Sequence, residues 1–199
     1  MKKLAIFSSG AGSNTARILQ HFRDHPTIAV SLIVCNNPKA GVLDIALKER
    51  IPVLLIEKEP FFRGSAYLDE LHAYHIDFIV LAGFLWKIPA KLIQAYPHRI
   101  VNIHPALLPG YGGKGMYGHH VHEAVIAAGE KESGITIHYV DELYDHGQAI
   151  FQAKVAVDPE DTPATLAAKV QYLEHTHFPR VIEEIVNSAW PNHRDHGLG

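Results

Sequence analysis

"KLAIFSSGAGSNTARILQHF", residues 3–22, runs from a continuous apolar stretch through a glycine turn into a segment of helical period. A short run that is apolar at nearly every position is the mark of a strand covered on both faces, as in parallel sheets wrapped by helices. The same alternation then repeats along the chain. "IAVSLIVCN" precedes "GVLDIALKER", "VLLIE" precedes "YLDELHAYH", "FIVLAG" precedes "PAKLIQAYP", and "RIVNIH" follows. Four consecutive strand–helix units predict an α/β fold with a Rossmann-like, doubly wound, mostly parallel sheet and helices on both faces.

Beyond His104 the pattern changes. "PALLPGYGGKGMYG" holds five glycines and two prolines without helical or strand period, which reads as a functional or mobile loop. A helix over "HHVHEAVIAAGE" follows, then a strand pair "GITIHYV" and "AIFQAKVAV" around "DELYDHGQ", the expected C-terminal antiparallel addition. A last helix spans about Pro163 to Asn187, with Leu166, Val170, Leu173, Val181 and Ile185 as its core stripe. The expected organisation is one domain over residues 1–190 and a polar, frayed tail over 191–199.

The 199 residues are enough to bury a single α/β core. With 18 basic and 21 acidic residues the net charge is −3, so no broad basic field is offered to nucleic acid or an anionic membrane. The N-terminal apolar run is shorter than a signal h-region, and no stretch approaches the roughly 18 apolar residues of a membrane span. The one cysteine, Cys35, lies in an apolar run and reads as a small buried hydrophobe. A cytoplasmic protein acting on small molecules, as a monomer or homodimer without nucleic-acid or membrane partners, is the expectation.

"SSGAGSN", Ser8–Asn14, combines glycines for a tight turn with the free N–H groups that open a helix, and so suits an anion. Thr15 stands where a dinucleotide fingerprint needs glycine or alanine, the next strand ends in "CNN" without an acidic residue, and there is no P-loop lysine. A single phosphate monoester fits better, with backbone donors at Gly12 and Ser13 and the side chain of Asn14. A plain strand-to-helix turn is the competing reading.

In "VNIHPALLP", residues 101–109, Asn102 and His104 are two apart at a strand end and therefore share a face. Asp145, in "VDELYDHGQAI", completes an amide, an imidazole and a carboxylate at the C-terminal edge of the sheet, where open α/β folds place ligands. That trio suits acyl transfer to an amine: Asn102 and a protonated His104 donate to the developing oxyanion, and Asp145 keeps the imidazole charged and assists removal of the amine proton. No G-x-S-x-G serine is present, so transfer is expected to be direct. Loop-tying roles for the same residues are the alternative.

"SGAGSN", "VLAGF", "NIHPALLP", "HYVDELYDHGQAI" and "VQYLEH", in this order over nearly the whole chain, closely resemble the folate-dependent phosphoribosylglycinamide formyltransferases. The resemblance implies formyl transfer from 10-formyltetrahydrofolate to the glycine amine of 5-phosphoribosylglycinamide in purine biosynthesis, without a metal. It makes Asn102, His104 and Asp145 catalytic and puts Gly12, Ser13 and Asn14 on the substrate's phosphate and ribose side. Gln171 and Glu174, on one helix face, go with the ribose and glycinamide, and His120 approaches the substrate. By the same resemblance the folate meets Leu81, Phe84, Leu85, His138, Val140 and Asp141, and Arg63 matches a family arginine across a gap.

The chain departs from the common pattern at "GYGGKGMYGH", longer and richer in glycine than the usual link, and at Trp86, where many relatives carry arginine. The first bears on how the loop closes over the phosphate, the second on a folate-tail contact. "HHVH" raises the question of a metal, with His119 and His122 expected on one helix face, but without cysteine or carboxylate companions surface or phosphate-loop histidines are the preferred reading. Trp86 and Trp190 read as packing residues. Other formyl carriers fit less well: the tRNA enzyme adds an RNA-binding domain, and the formyltetrahydrofolate hydrolase an N-terminal regulatory one. The remaining alternatives are a sugar-nucleotide N-formyltransferase and a non-enzymatic folate- or phosphate-binding module.

Overall fold

The computed structural model describes residues 1–63 and 66–188. The tail over 191–199 and Trp190 lie outside these residues. Strands and helices alternate in the order β1 (Lys2–Ser8), α1 (Ser13–Phe22), β2 (Ile28–Cys35), α2 (Val42–Glu49), β3 (Val53–Leu55), α3 (Lys58–Phe62), α4 (Leu68–Ala73), β4 (Phe78–Leu81), α5 (Ala90–Ala95), β5 (Ile100–His104), α6 (His119–Ala127), β6 (Glu132–Tyr139), β7 (Ala149–Ala156) and α7 (Pro163–Ser188). They build one seven-stranded sheet in the order β3-β2-β1-β4-β5-β6-β7. The first five strands are parallel, and β6 and β7 each run antiparallel to the preceding neighbour. This is the expected doubly wound sheet with its antiparallel addition.

Period-two alternation divides the core between the two faces. Leu4 and Ile6 of β1 pack with Val80, Val101, Ile103, Ile135 and Ile137 against α1, α6 and α7, while Ala5 and Phe7 pack with Ile79, Leu81 and Ile100 against α3, α4 and α5. A smaller cluster seats α2 on Ile33 and Cys35, and Cys35 is buried as expected. In α7 the expected Leu166, Val170, Val181 and Ile185 are buried and Leu173 is partly so; Phe178, Ile182 and Val186 join them. Burying this long face fixes α7 across α1 and β6. Trp86 packs its ring against Phe61, Phe62 and Phe84.

Two expectations need correction. The third strand is not covered on both faces: Val53 and Leu55 are exposed, because β3 is the sheet edge. An additional short helix, α3, separates β3 from α4, where "EKEPFF" gives no clear apolar period.

The strand order reverses between β1 and β4, and the loops leaving their C-terminal ends are stitched there. Ser9 N–H donates to the Gly83 carbonyl at 3.0 Å, and Leu85 N–H donates to Ser9 Oγ at 3.0 Å. No described helix is long and apolar enough to cross a membrane.

Candidate active site

Val101 and Ile103 face the α1/α6/α7 core, so Asn102 and His104 turn to the other side of β5. The antiparallel register sets His138 opposite Asn102 and Thr136 opposite His104. The same alternation on β6, with Ile135 and Ile137 in that core, places all four polar residues on one face. Asp145 joins them from the β6–β7 loop, holding a left-handed backbone at φ +53° that aspartate tolerates better than most residues.

The contacts are close. Asn102 Nδ2 lies 3.1 Å from His138 Nε2 and donates to Asp145 Oδ1 at 3.4 Å. His138 Nδ1 lies 2.9 Å from the Tyr139 carbonyl, which accepts its proton and leaves Nε2 to accept from the Asn102 amide. His104 Nδ1 stands 3.5 Å from Asp145 Oδ2, and its Nε2 is 2.7 Å from the Tyr111 carbonyl. Gly113 N–H donates to Asp145 Oδ2 at 3.0 Å. At φ +96°, Gly113 occupies backbone space that suits glycine.

Burial raises the Asp145 carboxyl, but the His138 and His104 imidazoles and the Gly113 N–H outweigh it and hold it below the usual carboxylate range. It is therefore ionised at neutral pH. For His104 the balance goes against expectation. Burial lowers its pKa by more than Asp145 and the Tyr111 carbonyl raise it, so the imidazole rests neutral rather than charged. With Nε2–H given to Tyr111, the free lone pair is on Nδ1, facing Asp145. At rest the site thus holds a standing donor in Asn102, an ionised carboxylate, and an imidazole able to take a proton where the carboxylate would stabilise it.

The loop after β5 is held by residues the sequence reading did not single out. Thr136, fully buried, donates through Oγ1 to the Ala106 carbonyl at 2.7 Å and accepts from Leu108 N–H and Gln152 Nε2, each at 2.9 Å. Gln152 Nε2 also reaches the Leu108 carbonyl at 2.9 Å. Thr136 and Gln152 are 16 residues apart and look like ordinary strand positions; only the β6–β7 register, Thr136 against Gln152, reveals the pair.

The proposed phosphate end also assembles. Gly12, at φ +81°, opens α1, and a Cβ there would stand 2.9 Å from side-chain atoms of Val42 and Ile45. Both the backbone and the space require glycine. Gln171 Nε2 donates to Ser13 Oγ at 3.3 Å, and Asn14 Nδ2 donates to Glu174 Oε2 at 2.9 Å. Burial pushes the Glu174 carboxyl up, and the Asn14 amide only partly restores it. The buried Asn14 Oδ1 has no partner among the described residues.

On the proposed folate side Leu81, Phe84 and Val140 share one apolar cluster, while Leu85 is exposed. Asp141 Oδ1 accepts from Leu143 N–H at 2.8 Å and its Oδ2 is 3.0 Å from His146 Nδ1, which folds the 140–147 loop on itself. Arg63 pairs with Glu59 and lines an open cleft of about 280 Å³ with Phe62, Lys87 and Lys91; none of the trio lines it. His120 contacts Tyr117, His119 and Glu123. The sequence pairing of His119 with His122 does not hold, because His122 turns into the core. The carboxylate thought missing is Glu123.

The sequence model of the family described as formyl transferase matches residues 2–182. The chain is 45% identical over 190 residues to the chloroplastic phosphoribosylglycinamide formyltransferase of Arabidopsis thaliana, covering 92% of this chain and 65% of that one. It therefore spans just under two thirds of that relative's length. The phosphoribosylglycinamide formyltransferase of Bacillus subtilis is 36% identical over 191 residues, with 94% of this chain and 95% of that one covered. The crystal structure of phosphoribosylglycinamide formyltransferase from Bacillus halodurans superposes with a TM-score of 0.85 at 36% identity, covering 95% of this chain and 97% of that one.

Proposed function

We propose, from the premise that the chain belongs to the formyl transferase family, that it transfers a formyl group from 10-formyltetrahydrofolate to the amine of 5-phosphoribosylglycinamide, a step of purine biosynthesis. The observation that carries this reading is the convergence of Asn102 and His104, from one strand, on the Asp145 carboxylate of a distant loop, one within hydrogen-bonding reach and the other within ion-pair reach. That grouping meets the needs of amine attack on a formyl carbon.

As the amine nitrogen bonds to the formyl carbon, negative charge grows on the formyl oxygen and positive charge on the nitrogen. Asn102 Nδ2 donates to the oxygen, giving up its long 3.4 Å bond to Asp145. The amine proton passes to the Asp145–His104 pair, where Nδ1 of the resting imidazole is the free acceptor and the ionised carboxylate stabilises the imidazolium that forms. The imidazolium, with Nε2–H on the Tyr111 carbonyl and Nδ1–H towards Asp145, adds positive charge to the site at the moment negative charge has developed. The carbon's bond to N10 of the folate breaks, N10 takes the proton back from the Asp145–His104 pair, which returns to its resting state, and formyl-amide and deformylated folate leave, with no covalent intermediate on the protein.

Gly12 and Ser13 offer backbone N–H groups to the substrate phosphate, with Asn14, Gln171 and Glu174 beside its ribose and glycinamide. The apolar group of Leu81, Phe84 and Val140, with His138, Leu85 and the 140–145 backbone, receives the folate ring. The test is direct: the protein is mixed with both substrates, and deformylated folate must appear only when both are present. Formyl transfer to an amino-sugar nucleotide instead, or folate binding without turnover, would overturn the assignment.

A further inference from the structure

The first turn of α6 gathers three side chains apart from the Asn102, His104 and Asp145 group. His119 Nε2 is 4.0 Å from Glu123 Oε1, His120 Nδ1 is 3.6 Å from Glu123 Oε2, and the two imidazole centroids are 4.1 Å apart. Helical spacing explains the meeting, since Glu123 lies four residues after His119 and three after His120. Among the described residues this is the only set of three His, Cys, Asp or Glu side chains whose ligand atoms all lie within 4.8 Å of one another.

We propose that His119, His120 and Glu123 form a surface site for one divalent transition-metal ion of the Zn²⁺, Ni²⁺ or Cu²⁺ class. Two imidazoles and a carboxylate suit these ions, whereas Mg²⁺ and Ca²⁺ call for an all-oxygen shell. Ligands bound to Zn²⁺ tetrahedrally at 2.0–2.1 Å stand about 3.3 Å from one another. Exposed side chains whose three ligand atoms already lie within 4.8 Å of one another close to that separation by rotation. A lone cation is disfavoured at the positive end of a helix, and Glu123 supplies the compensating charge there. Three protein ligands leave the fourth position to water or a small anion.

The place is also significant. The Tyr117 ring meets His120 edge-on at 5.3 Å, at the junction where the glycine-rich segment enters α6. That segment carries the Tyr111 carbonyl and Gly113 N–H that hold His104 and Asp145. A bound ion would pin its far end.

Calorimetric titration of the full chain with zinc chloride should show one equivalent bound and no uptake of magnesium chloride. The doubly substituted chain with His119→Ala and Glu123→Gln should lose at least tenfold in zinc affinity with its far-UV circular dichroism unchanged. Unchanged zinc affinity in that variant, or no binding by the unsubstituted protein, would overturn the proposal. Cu²⁺ electron paramagnetic resonance of the unsubstituted chain gives a check free of any folding defect: coupling to two imidazole nitrogens is expected, and coupling to one or none refutes the site.

Discussion

His104 Nε2 and the carbonyl oxygen of Tyr111 lie 2.7 Å apart, seven residues along a loop that has no regular secondary structure. The loop therefore sets the tautomer of the imidazole, and the nitrogen it leaves free is the one that faces Asp145. The segment, a functional or mobile loop by its sequence, thus holds the imidazole through its backbone.

Asn102→Ala and Asp145→Asn should each lower kcat by about 10²–10³, the range for losing a group that acts on transition-state charge. Folate should still bind, measured by fluorescence titration. A variant turning over at near the unsubstituted rate would remove its residue from the mechanism.

Because the transfer needs Nδ1 of His104 unprotonated and burial holds that imidazole below its ordinary value, kcat/KM should hold through the ordinary imidazole range and fall as His104 takes a proton, while the Asp145 carboxylate stays ionised into stronger acid. Asp145→Asn removes the charge that raises the His104 value, so the acid limb of its residual activity moves to lower pH. An unmoved limb would mean that His104 is not the titrating group.

Thr136→Val keeps the shape but leaves the Leu108 N–H, the Ala106 carbonyl and a Gln152 donor short of a partner. The expected cost is about 1–3 kcal/mol, read as a lower midpoint in urea, together with a fall in kcat as the His104 loop loosens. Serine at the same position should recover most of the activity.

Gly12→Ala forces a side chain onto a left-handed residue and into Val42 and Ile45. Stability should fall by about 1–3 kcal/mol, and KM for the phosphorylated substrate should rise while KM for the folate holds.

Glu174 is a carboxyl whose folded pKa is raised, so its ionisation weakens the fold as pH rises through the unfolded and then the folded value. Glu174→Gln should therefore raise Tm at neutral and alkaline pH by about 1–4 °C, with the gain vanishing in acid. Substrate KM should rise in the same variant. A destabilised variant at neutral pH would show that the Asn14 bond outweighs the burial cost.

The sheet was legible because its parallel strands are continuous apolar runs, a pattern that two-sided burial demands of all of them but the edge strand β3. The trio was legible because Asn102 and His104 are two apart on one strand. What the sequence could not show was the balance at His104: proximity to Asp145 is readable from motifs, but the depth of burial that outweighs it belongs to the packed fold. Likewise Thr136, Gln152 and Gly113 act through register and loop path, and the inward turn of His122 follows from how α6 docks, not from the spacing of the histidines.

The Asn14–Glu174 bond joins positions 160 residues apart, at opposite ends of the described chain. On the ribosome, where synthesis proceeds at about 5–20 residues per second, Asn14 emerges long before its partner exists. The nascent chain can lay down its parallel strands early, yet the proposed substrate cradle stays half-built until α7 clears the exit tunnel and docks. Truncation within that helix would thus abolish turnover even where the sheet itself survives.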